Sequence, residues 1–160
     1  MTLLAWLVGL ILPACAATGS HGLPEPTLLD FDHLNRPSSP NTALAAPIAT
    51  KPAADLATPV FRVPAARLYQ AVIAAAAAQP RTFLAADFKA ERQLHFVARS
   101  ALFNFPDLIS AQITEAGTDS STLVLYSRSV YGYSDLGVNR QRLVSWLAAV
   151  QTTINHSGER

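Results

Sequence analysis

The stretch SRSVYGYSDLGVNRQR, residues 127–142, changes period halfway along and sets where sheet ends and helix begins. Its start continues a run in which Leu123 and Leu125 share one face while Val124, Tyr126, Arg128 and Val130 share the other, the period of a strand. Its end enters a segment in which Leu136, Leu143, Leu147, Val150 and Ile154 recur at intervals of three, four and seven, one helical stripe. Between them Gly132 and Gly137 permit a tight bend. Ser134 or Asp135 can accept hydrogen bonds from the free N–H groups of the helix that follows, and a carboxylate there also favours the positive end of the helix dipole. The stretch is read as a strand-to-helix corner capped by Ser134 and Asp135.

Upstream of the corner the segments RTFLAADF (81–88), RQLHFVARSAL (92–102), LISAQITEA (108–116) and STLVLYSRSVY (121–131) have strand character. In the second, Leu94, Phe96, Ala98 and Leu102 alternate with His95 and Arg99. Short connectors containing Lys89, Pro106 and AGTDSS imply hairpins, and hence an antiparallel sheet. Before these, PVFRV reads as a short strand, and PAARLYQAVIAAAAAQ as a helix with Leu68, Val72, Ala75 and Ala76 on one face; Pro64 suits its first turn and Pro80 stops it. The order β-α-β-β-β-β-α predicts a single α+β domain. Its sheet is curved, antiparallel and of about five strands, with one helix after the first strand, and it wraps around a long C-terminal helix in a helix-grip or TATA-binding-protein-like manner.

Farther out, residues 19–59 carry Pro24, Pro26, Pro37, Pro40, Pro47, Pro52 and Pro59, spaced so that no helix runs through. By composition this is a tether, although Leu28, Leu29, Phe31 and Leu34 are more apolar than a free linker requires. The apolar run from Leu3 to about Ala17 is shorter than the ~20 residues of a membrane span and suits an export leader. Ala14 and Ala16 allow cleavage after Ala16. Alternatively LPAC resembles a bacterial lipoprotein box, with Leu12 three positions before a lipidated Cys15; an uncleaved anchor is the third reading. All three place the domain outside the cytoplasm, with the lipoprotein at the periplasmic face of a bacterial envelope preferred.

Half of the 160 residues are hydrophobic and 14% are charged, enough apolar content for a core. Residues 58–155 hold nine basic against six acidic side chains, far from the dense basic field that nucleic-acid binding uses. Cys15 is the only cysteine, which excludes an intrachain disulfide and any zinc site built on paired thiolates. No Gly-rich phosphate loop and no metal-ligand spacing occur, so no cofactor is expected.

SPNTALAAP (39–47), HFVARSALFNFPDLI (95–109) and LVLYSRSVYGYSDLGVNRQR (123–142) together resemble the domain of unknown function 1499 family, over about residues 27–152 and in the family's order. Pro40 and Asn41 match a Pro-Asn pair that members often follow with cysteine; Thr42 stands there in this chain. The resemblance implies that residues 28–57 belong to the domain. It implies no activity. The expected organisation is a leader at 1–17, a tether at 18–27, an extended segment packed on the domain at 28–57, the α+β domain at 58–155 and a tail at 156–160.

Two functions follow. A helix N-terminus flanked by Arg128 and Arg140, with Arg99 on a neighbouring strand, could hold an anion, which suggests a non-catalytic, membrane-tethered binding or scaffolding module for an anionic or lipid-like ligand. The simpler reading of the same residues is that Asp135 caps the helix and pairs with an arginine. The alternative function is an envelope hydrolase in which Ser127 or Ser129 is served by His95 and Asp135, although no nucleophile elbow supports it. Whether His95 lies within reach of a serine discriminates the two. Phe103, Phe105, Tyr126, Tyr131 and Tyr133 are read as core and rim.

Overall fold

A computed structural model describes residues 19–157; the apolar run with Cys15, read above as a leader, and the last residues of the expected tail lie outside that part. The order is β1 (Thr42–Ala46), β2 (Leu56–Ala57), α1 (Ala65–Ala77), β3 (Thr82–Phe88), β4 (Gln93–Arg99), β5 (Pro106–Gly117), β6 (Ser120–Ser129) and α2 (Val138–Ser157). The strands form one curved, open sheet in the order β2-β1-β6-β5-β4-β3. The chain is thus the expected α+β domain with a C-terminal helix.

The N-terminal strands differ from expectation. The segment PVFRV makes only an isolated bridge between Phe61 and Ser121, because Pro59 and Pro64 bracket it and withhold ladder donors. The first strand is instead TALAA, residues 42–46, inside the proline-rich stretch. It pairs antiparallel with β6, Thr42 opposite Arg128 through Ala45 opposite Leu125, and parallel with β2, so the sheet is mixed and has six strands. Asp55 secures this edge: its carboxylate accepts from the Leu44 N–H (2.7 Å) and from Arg36 (2.6 Å).

Alternation sorts the sheet into two faces. Ala43, Ala45, Leu94, Phe96, Ile109, Ala111, Leu123 and Leu125 meet Leu68, Val72, Ala75 and Ala76 of α1 and Leu143, Trp146, Val150 and Ile154 of α2. The alanines on both sides permit close approach, and Phe96 meets Trp146 edge-on at 5.2 Å between ring centroids. Tyr69 ties α1 to β3 by donating its hydroxyl to Asp87. The opposite face carries a second, smaller core in which Leu44, Ala46 and Tyr126 receive Phe31 and Leu34. The N-terminal segment therefore crosses the sheet as an irregular strap, and the sheet is the middle layer.

The α2 stripe is Leu143, Trp146, Val150 and Ile154, with Leu147 partly buried. Leu136 does not belong to it: it is 94% exposed, with φ +55, in the turn before the helix starts. Its place one turn before Leu143 is taken by Asn139, which is fully buried. Asp135 caps the helix, accepting from the N–H groups of Gly137 (3.0 Å) and Asn139 (2.7 Å), and Ser134 Oγ accepts from Leu136 N–H (3.3 Å). Among the described residues no helix is long and apolar enough to cross a membrane.

The corner is locked by Arg142. Its guanidinium donates to Asp107 (2.6 Å), Ser127 Oγ (3.1 Å) and Asn139 Oδ1 (2.7 Å), while the Asn139 amide donates to the Asn41 carbonyl (2.9 Å) and Ser129 Oγ (3.0 Å). The Arg142 and Asp107 side chains are only 15% and 11% exposed, so removing one partner strands a buried charge. Arg142→Ala is expected to cost about 3–5 kcal/mol in urea unfolding. Arg140→Ala, at an exposed position, is expected to leave the unfolding midpoint unchanged.

Candidate functional site

Pairing register, more than sequence proximity, assembles an enclosed site on the strap face. On the strap face one ladder row sets His95 opposite Ser110 and Ser110 opposite Tyr126, and the next sets Val97 opposite Leu108 and Leu108 opposite Arg128. Directly paired residues share a face, so both rows point away from the helices. Residues 20 and 23–29 of the strap roof them and leave a cavity of about 220 Å³. Leu23, Leu28, Leu29, Val97 and Leu108 make its apolar wall; His95, Ser110 and Arg128 are the polar groups of its floor.

The roof is held through its backbone. The buried Gln93 amide accepts from the Leu29 N–H (2.7 Å) and donates to the Leu29 carbonyl (2.9 Å), as a neighbouring strand would. At the other end Arg99 donates to the carbonyls of Gly19 (3.0 Å) and His21 (2.7 Å). Residues 19–27, the described part of the tether expected at 18–27, are fastened across the sheet, because a buried guanidinium needs acceptors and the strap supplies carbonyls.

The Gln93 clamp also decides the state of His95. Leu29 fixes which end of the amide is oxygen, and that oxygen faces His95 Nε2 at 2.8 Å. A carbonyl oxygen only accepts, so Nε2 carries the hydrogen and Nδ1 is left as an acceptor. Ser110 Oγ lies 2.9 Å from Nδ1 and donates to it. The chain Ser110–His95–Gln93 thus orders a hydroxyl, a neutral imidazole and an orienting amide. Burial pushes the His95 pKa below its usual value, favouring that neutral form.

The serine within reach of His95 is therefore Ser110, and not Ser127 or Ser129. Ser127 points to the helix side, where its Oγ bonds Asn139 and Arg142, and Asp135 is committed to the helix cap. The three arginines do not meet either. Arg99 is committed to backbone carbonyls, and Arg140 borders a separate depression with Arg36, Asp55 and Asp135. Of the three only Arg128 lines the strap cavity; the residue is exposed, and its guanidinium makes no hydrogen bond or ion pair among the described residues. Gln93 and Ser110 carried no signal in the sequence beyond alternation, since only the pairing register brings them to His95. Arg142 had one: it lies three residues after Asn139, the position that extends the helical stripe.

The family model for the protein of unknown function DUF1499 matches residues 34–150. The chain belongs to this family. No curated protein matches it. The DUF1499 span takes in all six strands, α1 and most of α2, and with them His95, Ser110, Arg128 and the locked corner. The roof of the cavity, residues 20 and 23–29, precedes the DUF1499 match.

His95 gives the site a pH dependence. Its folded pKa is depressed, so the unfolded chain binds the proton more readily; stability is full above the ordinary value of 6.5 and falls as pH drops below it. Thermal melts between pH 7.5 and 5 are expected to show a loss of midpoint in the wild type that is smaller in His95→Gln.

Proposed function

We propose that this chain is an exported, membrane-tethered binding module of the cell envelope, and that its strap cavity holds a small amphipathic anion. The observation that carries the reading is one guanidinium without a side-chain partner, Arg128, beside the apolar wall of an enclosure whose other polar lining is His95 and Ser110 on the floor and Ser20, Glu25 and Thr27 in the roof. Water-filled apolar walls are costly, whereas a ligand with an apolar body and one carboxylate or phosphate satisfies both surfaces. The cavity is smaller than the roughly 300–1,000 Å³ of drug-sized sites, so a short acyl or aromatic acid fits and a whole phospholipid does not. The leader supports the location: an apolar run ending in small residues at Cys15 suits export and lipidation.

Calorimetry against short-chain carboxylates and alkyl phosphates tests the ligand class. Arg128→Gln is expected to weaken binding about tenfold or more, the scale of a lost charge-assisted hydrogen bond. Equal affinity in wild type and variant, or no binding across the panel, sinks the proposal. Mass spectrometry of the mature N-terminus tests the location: an acylated Cys15 is expected, and a cytosolic chain with Met1 intact contradicts it.

The ordered Ser110–His95–Gln93 chain favours a second reading, a hydrolase of small esters. Ser110 Oγ would attack the carbonyl carbon while His95 Nδ1 takes its proton; the alcohol would leave with that proton, and water would release the acid from the acyl-serine. It stands second because β5 is paired on both sides at Ser110, which commits the neighbouring N–H groups to the ladders and leaves no backbone oxyanion hole there. Under this reading a fluorophosphonate probe labels the wild type and not Ser110→Ala. An unlabelled wild type retires it.

A further inference from the structure

A second exposed feature lies at the end of the sheet where β4 stops. The loop after β4 exposes Leu102, Phe103 and Phe105 at 78%, 63% and 51%. Phe103 and Phe105 stack at 5.5 Å between ring centroids, and Tyr131, from the segment after β6, meets Phe105 at 5.8 Å. Single exposed apolar residues are ordinary, but a contiguous aromatic cluster marks an interaction surface. Residues 101–106 and 129–134 contain no charged side chain.

The loop is built so that its polar groups turn inward while its rings turn out. Ser100 N–H donates to the Phe105 carbonyl (2.9 Å), Phe105 N–H to Ser100 Oγ (2.9 Å), and Asn104 N–H to the Ser100 carbonyl (3.1 Å). Asn104, in the left-handed region with φ +57, is buried; its carbonyl accepts from Arg99 (3.0 Å) and its side-chain oxygen accepts from Arg81. These bonds take the N–H groups of Ser100, Asn104 and Phe105 out of water's reach, which lowers the cost of bringing the rings above them into a low-polarity medium.

What that medium is follows from where Gly19 and His21 are held on the sheet. The same Arg99 guanidinium that holds the Asn104 carbonyl also holds the carbonyls of Gly19 and His21. The strap thus emerges beside the aromatic loop. Cys15 lies four residues before Gly19, at most about 14 Å of extended chain, and the apolar run ends nearer still. A leader seated in a bilayer therefore holds this end of the domain close to the membrane surface. We infer that Leu102, Phe103, Phe105 and Tyr131 form a docking surface for the interfacial layer of a phospholipid bilayer. The inference rests on the tethered reading above. Aromatic rings favour the headgroup level, and a single acyl anchor binds only marginally until a second contact joins it.

The test uses the full chain on a Trp6→Phe background, in which Trp146, buried in the core, is the remaining native tryptophan. Phe103→Trp and, as control, Glu91→Trp at the opposite end of β4 are mixed with phosphatidylethanolamine–phosphatidylglycerol vesicles brominated near the top of the acyl chains. Flotation with the vesicles and about twofold or greater quenching of the Phe103→Trp emission, with none for Glu91→Trp, is the expected result. A chain that floats with neither position quenched keeps the tether and overturns the docking surface. A chain that does not float overturns both. Emission from Phe103→Trp that is already blue-shifted without vesicles and unquenched with them assigns the patch to the leader or to a second copy, and also overturns the inference.

Discussion

The structure depends on one buried polar cluster, in which Arg142 and Asn139 of α2 tie together the ends of three strands. Asp107 opens β5, Ser127 and Ser129 close β6, and Asn41 precedes β1; each finds its partner on α2. A helix could cross this sheet at many angles on apolar contact alone, because hydrophobic burial is non-directional. A charge pair and an amide with fixed donors and acceptors admit far fewer, since any sliding would leave buried groups unpaired. The three segments that carry the family resemblance meet at this cluster: Asn41 from the first, Asp107 from the second, and Ser127, Asn139 and Arg142 from the third. The cluster lies on the helix side of the sheet, and the strap face takes no part in it.

The two faces of the sheet do different work with different chemistry. The helix face is closed by alanine-spaced apolar packing, and it is where stability resides. The strap face is closed by side chains that read backbone: Gln93 pairs with Leu29 and Arg99 with Gly19 and His21. Such clamps accept any strap sequence whose peptide groups arrive in the right place. That is consistent with a roof lying before the family match and a floor lying within it. The same clamps set the strap's first described residues beside the loop that follows β4.

Much of the fold was legible in the residues themselves. Alternation in 92–102, 108–116 and 121–131, hairpin connectors and the terminal stripe led to an antiparallel sheet and its helix, and Asp135 at the corner had the chemistry of a cap. The candidate site was far less legible. Leu136 fits the helical period yet sits in a left-handed turn; TALAA reads as linker because prolines surround it; Arg128 and Arg140 flank Asp135 in the chain yet point to different cavities. In each instance a residue's neighbours in space, which the local pattern does not contain, settled the outcome.

By itself the sequence determined what depends on short-range chemistry: the strand character of the segments before the corner, the capping carboxylate at Asp135, and, from a single thiol, the exclusion of an intrachain disulfide and of a metal site built on paired thiolates. The tertiary structure alone decided the pairing register of β4, β5 and β6. Register is a relation between strands far apart in the chain, and a slip of one residue would turn His95, Ser110 and Arg128 toward the helices. The cavity, the orientation of the imidazole and the placing of the aromatic loop beside the strap's first residues all follow from that relation.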